Sequence, residues 1–366
     1  MKKSINFVIW ILISLGGLAA ILLFAMIMIS PGTTPRIEDD TGREIQGSVA
    51  AIENVELGNL KQFVLMRGRN VKNPVLLMLH GGPGTPQGPH FVYHNKELEK
   101  HFIVVNWDQR GAGRSFSPGI SKETMTIEQL ISDTHELTQY LKRRFQQNKI
   151  YLLGHSWGSY LGIRTVDLYP EDYYAYIGIG QVTDHKKSET LSYQFVLKTA
   201  KESGNQEAIK ELEGLEAPIN GRYKDGPMAM LQQRRWVREF GGAAYNPEDF
   251  NNLIGKPLVF FREYSFLDKL GYFDGEEFSV KLLYDPMLDF NVMNEISELK
   301  IPIYILQGRR DYQTAFVLVK EYLEKLKAPH KELIPFEKSA HLVPYEEPDR
   351  FHDVLINKIL KETYQP

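Results

Sequence analysis

Ile150-Tyr-Leu-Leu-Gly154-His-Ser-Trp-Gly158 is the stretch whose reading decides the fold. Its first four residues are an unbroken apolar run. Continuous rather than alternating apolar character predicts a strand buried on both faces, as in a parallel sheet covered by helices. A helical stretch over 158–169 starts directly behind it. Ser156 therefore stands on a sharp strand-to-helix turn, where flanking glycines let the two elements pass without Cβ clashes. The N-terminus of the helix that starts there favours developing negative charge. G-x-S-x-G is a loose pattern by itself, and the strand before it and the helix after it give it meaning.

The same alternation runs through the chain. Short apolar runs at 75–79, 102–105, 150–153 and 301–306 are each followed by a glycine-containing or polar loop. Helical stretches are predicted at 126–145, 158–169, 315–326 and 348–360. Strands alternating with helices imply an α/β fold with a mostly parallel sheet flanked by helices. Segments around 45–52 and 63–66 are expected as leading antiparallel strands. From 186 to 284 the chain is rich in aromatic and charged residues and lacks buried-strand runs. That region is expected as an inserted, mainly helical cap dividing a core of 45–185 and 285–366. Inserted lids over the sheet's C-terminal edge commonly shape substrate pockets.

Residues 5–29 are almost wholly apolar, with Asn6 and Ser14 as the polar interruptions. As a helix this run would rise about 37 Å, enough for the roughly 30 Å hydrocarbon core of a bilayer. A single uncleaved transmembrane anchor over 1–30 is therefore expected, followed by a linker over 31–44 containing prolines, a glycine and an acidic cluster. Lys2 and Lys3 before the run and Glu38, Asp39 and Asp40 after it predict a cytoplasmic N-terminus. The catalytic domain would then lie on the extracytoplasmic side of what is expected to be a bacterial cell membrane. The 366 residues carry a net charge of −3, which gives no electrostatic case for nucleic acid binding. Cysteine is absent, so disulfides, a cysteine nucleophile and thiolate metal sites are excluded.

Serine is a poor nucleophile until a base takes its proton and a third group orients that base. Where a serine sits on such a turn, the acid and then the histidine follow it in chain order. Asp311, in Gly308-Arg-Arg-Asp311, and His341, in Ser339-Ala-His341, both follow predicted strands and emerge at the edge where Ser156 does. Asp184, in the loop after the run at 176–180, is the alternative acid. His155 adjoins the nucleophile and is read as a packing residue. An oxyanion hole needs two preorganised N–H donors. Trp157 should supply one, and the loop His80-Gly-Gly-Pro-Gly84 the other, through Gly82 or its neighbour Gly81. No metal-ligand cluster, phosphate loop or dinucleotide fingerprint is present, so no cofactor or metal is expected.

His80-Gly-Gly-Pro-Gly84, Trp107-Asp-Gln-Arg-Gly-Ala-Gly-Arg-Ser115 and Gly154-His-Ser-Trp-Gly-Ser159 together resemble the motif set of the proline iminopeptidase family. The resemblance implies an α/β-hydrolase fold with a cap, the triad Ser156, Asp311 and His341, and release of N-terminal residues, notably proline, from peptides. It also implies cap carboxylates that bind the substrate's free amine. Glu239, in Arg235-Trp-Val-Arg-Glu-Phe-Gly241, resembles such a residue. Asp108 and Arg110 are read as loop-tying scaffold. Two other functions use the same parts list: an esterase, lipase or lactonase acting on amphiphilic esters, and a non-catalytic binding protein on a hydrolase scaffold.

Overall fold

The computed structural model describes residues 2–364. Eight strands form one sheet in the order β1-β2-β4-β3-β5-β6-β7-β8. They are β1 (Val49–Leu57), β2 (Leu60–Gly68), β3 (Val75–Leu79), β4 (Ile103–Trp107), β5 (Ile150–His155), β6 (Tyr173–Ile179), β7 (Ile303–Gly308) and β8 (Lys331–Phe336). β1 and β2 form the antiparallel lead, β2 pairs antiparallel with β4, and every pairing from β4 to β8 is parallel.

The unbroken apolar runs are explained by the sheet's position between two layers. Val75, Leu77 and Leu79 of β3 belong to one hydrophobic cluster, whereas Leu76 and Met78 belong to another. Ile150 and Leu152 alternate with Tyr151 and Leu153 in the same way. Successive side chains point to opposite faces, so a strand covered on both sides is apolar at nearly every position. Helices Ile127–Phe145 and Trp157–Leu168 supply one cover, and the C-terminal segment with Phe351, Leu355 and Ile359 supplies part of the other. Thr126 caps the first of these helices, its side chain accepting from Gln129 N at 3.1 Å.

Between β6 and β7 the ordered elements are all helical, beginning with His185–Ser203 and ending with Val292–Glu295. The stretch expected as a linker is fastened at its start. Pro31 bridges to Ser265, Thr34 Oγ1 donates to Glu263 Oε1 at 3.0 Å, and Arg67 Nη1 donates to Pro35 O at 2.8 Å.

A helix spans Lys2–Met28. The expected transmembrane anchor, and with it the extracytoplasmic placement at a bacterial membrane, is overturned: among the described residues no helix is long and apolar enough to cross a membrane. A span takes roughly 20 consecutive apolar residues. The expectation rests on the almost wholly apolar run over 5–29. The side chains at 2–9, 11–13, 19 and 22 lie outside the described residues, and those that are described do not make a continuous apolar span.

Asp108 joins the core to the helical insertion. It accepts from Tyr264 Oη at 2.6 Å and from Arg114 N at 2.9 Å, and burial pushes its carboxyl up to about 7 despite these two bonds. A carboxyl whose folded pKa exceeds its unfolded value, near 3.9, holds its proton more tightly when folded. Its stabilising contribution is therefore full below that unfolded value and is lost as pH rises through about 7. Thermal unfolding of the native protein should shift to lower temperature between pH 5 and pH 8, and Asp108→Asn should make that slope shallower. An unchanged slope in the variant would rule out this assignment.

Candidate active site

The turn expected at Ser156 is built by close backbone approach. A Cβ on Gly154 would lie 2.3 Å from Gly158 O, and one on Gly158 would lie 2.0 Å from Leu79 O, so neither position admits a side chain. Ser156 itself has φ 55° and ψ −121°, a left-handed conformation costing about 1–3 kcal/mol for a residue with a Cβ. Hydrogen bonds from Ser156 N to Ile179 O at 2.9 Å and from Ser159 N to Ser156 O at 2.8 Å hold it there. The serine is partly exposed at the floor of a cavity of about 400 Å³, beneath the helical insertion.

His341 and Asp311 are both buried, and His341 Nδ1 lies 2.8 Å from Asp311 Oδ2. A carboxylate oxygen accepts, so Nδ1 carries the proton and Nε2 is left free to act as a base. Asp311 is fixed by further donors: Gln307 Nε2 at 2.9 Å, Gln313 N and Thr314 N at 2.9 Å each, and Thr314 Oγ1 at 2.8 Å. His341 and Ser156 line the same cavity, and the serine hydroxyl has no hydrogen-bond partner among the described residues. Asp184, the alternative acid, caps helix His185–Ser203 by accepting from Lys187 N at 3.1 Å and makes no hydrogen bond or ion pair with His341 among the described residues.

The structure separates the two candidate oxyanion glycines. Gly81 N donates to Gln87 Oε1 at 3.1 Å, whereas the N–H groups of Gly82 and Trp157 have no acceptor among the described residues. Gly82 has φ 113°, and a Cβ there would lie 2.6 Å from Gly84 N, so the loop geometry requires glycine. His155 does more than pack. Its Nε2 lies 2.8 Å from His341 O, an acceptor only, so Nε2 donates and Nδ1 accepts from Gln87 Nε2 at 2.7 Å. Burial holds the His155 pKa down to about 3, which keeps the ring neutral and fixes this pattern. A chain of hydrogen bonds thus runs from the base's carbonyl through His155 and Gln87 to the oxyanion loop.

Glu239 is exposed at the end of helix Pro227–Glu239 and is not among the residues that line the cavity, whereas Arg234 and Arg238 of the same helix are. The partly buried cavity carboxylate is Glu276, whose side chain accepts from Thr85 Oγ1 at 2.8 Å beside the oxyanion loop. Burial raises its pKa. Glu276 lies in the aromatic and charged insertion, where no sequence pattern distinguished it from its neighbours. Away from the cavity, His330, Glu332 and Glu362 cluster near the surface, where Lys358 Nζ pairs with both carboxylates, 3.0 Å from Glu332 and 3.1 Å from Glu362.

Gly180 follows β6 with φ 53°, and a Cβ there would lie 2.7 Å from His341 Cε1 and 2.9 Å from its Nδ1. Gly180→Ala should lower kcat about a hundredfold by displacing the imidazole, with the near-UV circular dichroism of the native fold retained. Retention of full kcat would show that the His341 position is not critical.

Residues 74–348 match the family described as alpha/beta hydrolase fold. The probable aminopeptidase YbaC of Bacillus subtilis (strain 168) is 35% identical over 308 residues, covering 84% of this chain and 96% of that protein. A proline iminopeptidase of Heyndrickxia coagulans is 24% identical over 290 residues, covering 76% and 88% respectively. Among solved structures, a proline iminopeptidase-related protein from Thermus thermophilus has a TM-score of 0.61 at 18% identity, covering 86% of this chain and 98% of that one. At that identity the likeness shows the fold alone. The family match takes in β3 to β8 together with Ser156, Asp311 and His341, and the chain belongs to the alpha/beta hydrolase family.

Proposed function

We propose that this protein is a serine aminopeptidase that releases N-terminal residues from short peptides through an acyl-enzyme. The observation that carries this reading is the convergence on one cavity of Ser156, the His341–Asp311 pair, two unengaged N–H groups and the carboxylate of Glu276. The relatives named aminopeptidase and proline iminopeptidase support it.

In the proposed reaction His341 Nε2 takes the proton of Ser156 Oγ as the hydroxyl attacks the peptide carbonyl. The N–H groups of Gly82 and Trp157 stabilise the tetrahedral oxyanion. His341 then returns the proton to the departing amine, leaving the aminoacyl group on Ser156. A water deprotonated by His341 attacks that ester and frees the amino acid. Asp311 keeps the imidazole oriented and stabilises its charged form. Glu276, in place of Glu239, holds the substrate's ammonium group beside the oxyanion loop. Residues 186–284 act as the cap that sets what enters.

The same machinery cleaves esters. The apolar cavity wall, with Met230, Leu231, Ile254 and Met287, favours hydrolysis of acyl esters as the second reading. Aminoacyl p-nitroanilides assayed beside N-blocked anilides and simple acyl esters separate the two. The peptidase reading expects turnover of free-amine anilides, with KM raised about tenfold in Glu276→Gln and blocked esters changed less than about threefold. Turnover of esters alone would leave the esterase reading standing.

A further inference from the structure

The charged side chains of the cavity do not balance one another internally. Arg234 is neutralised: its guanidinium contacts Glu189, which is fully buried and also accepts from Tyr223 Oη at 3.3 Å. Burial lowers the pKa of His90, His155 and His185, so these rings stay neutral at ordinary pH. Two charges remain. Glu276 is bonded to a threonine hydroxyl and, among the described residues, to no cation. Arg238 has Glu239 as its carboxylate neighbour, at 3.5 Å and half in solvent, a distance at which a charge-assisted hydrogen bond is weak.

Arg238 is nevertheless held in place. Its guanidinium lies over the Phe250 ring, 4.9 Å from the centroid, and both residues line the cavity that holds Ser156. The ring restrains the guanidinium, and apart from the long bond from Nη2 to Glu239 its N–H groups have no acceptor among the described residues. A planar fork of donors fits a carboxylate in bidentate fashion, which a lysine in its place would not reproduce.

We propose that Arg238 binds the C-terminal α-carboxylate of the substrate, so that the natural substrates are unblocked dipeptides and tripeptides. The proposal rests on the aminopeptidase reading, in which Glu276 takes the ammonium end. A zwitterionic peptide then gives Glu276 a cation and Arg238 a bidentate carboxylate in place of its long contact with half-exposed Glu239, while its side chains meet the cavity's apolar lining. A neutral ester satisfies neither. A long peptide has no carboxylate within the cavity, so Arg238 selects for length as well as for a free end.

The test compares kcat/KM for dipeptides with free C-termini, the same dipeptides as C-terminal amides, and an aminoacyl p-nitroanilide, in the native protein and in Arg238→Gln. The native protein is expected to prefer the free acid over the amide by about tenfold or more, chiefly through KM. In Arg238→Gln that preference should collapse to less than about threefold, with the acid losing far more than the amide or the anilide. Anilide turnover reports that the variant's catalytic site is intact. Equal rates on acids and amides in the native protein would overturn the proposal, and so would a variant in which acids and amides fall together. Anilide turnover without an acid preference removes the carboxylate subsite alone. Failure on every free-amine substrate removes the aminopeptidase reading and the subsite with it.

Discussion

Backbone meets backbone at the turn after β5: Gly158 passes Leu79 of β3 so closely that even a methyl group would overlap its carbonyl. That contact forces the helix behind Ser156 to start where it does and drives Ser156 into a left-handed conformation with its side chain over the sheet edge. It also brings the end of β3 beside the nucleophile, and the loop that leaves β3 carries Gly82. A Cβ on Gly81 would lie 3.2 Å from that of Ser156, so the oxyanion loop and the serine are packed against one another from the outset. The strain at one residue is supported by the whole parallel sheet.

His341 is positioned from three directions. Gly180 leaves room for the imidazole beside β6, and Asp311 holds its Nδ1. The third support comes from the helical insertion, which is stitched into the catalytic loops instead of merely lying over them. His341 N donates to Ala243 O at 3.0 Å, and Tyr312 N donates to Gly242 O at 3.0 Å. Glu346 accepts from Ala340 N at 2.8 Å and from Tyr245 N, tying the same segment to the loop of the base. Rearrangement of this part of the insertion is therefore coupled mechanically to the loops that carry Asp311 and His341.

Much of this was legible in the residues. Buried parallel strands announce themselves by short, almost wholly apolar runs, and β3 to β7 are legible for that reason even though Asn106, His155 and Gln307 stand within them. The serine turn, the acid and the base follow from strand ends, which short apolar runs mark well. β8 was less plain, since Lys331 and Glu332 sit on the sheet's edge, where exposed polar residues are tolerated. Cap contacts were the hardest to read. Helices packed by long charged and aromatic side chains carry no period that says which carboxylate turns inward, and it is Glu276, with no distinguishing pattern in the sequence, that lines the cavity. Gln87 and His155 were invisible as partners because the bond between them spans distant loops. The N-terminal apolar run read as an anchor, a reading that the described residues do not sustain.

The central claim is that Ser156 carries the acyl group between substrate and water. Acid-quenching the protein within milliseconds of mixing with an aminoacyl ester, followed by mass spectrometry of the intact chain and its peptides, tests it directly. The account predicts one aminoacyl group per chain, mapped to the peptide that contains Ser156 and absent from Ser156→Ala. Product formation with no adduct at Ser156, or an adduct that persists in Ser156→Ala, would contradict it.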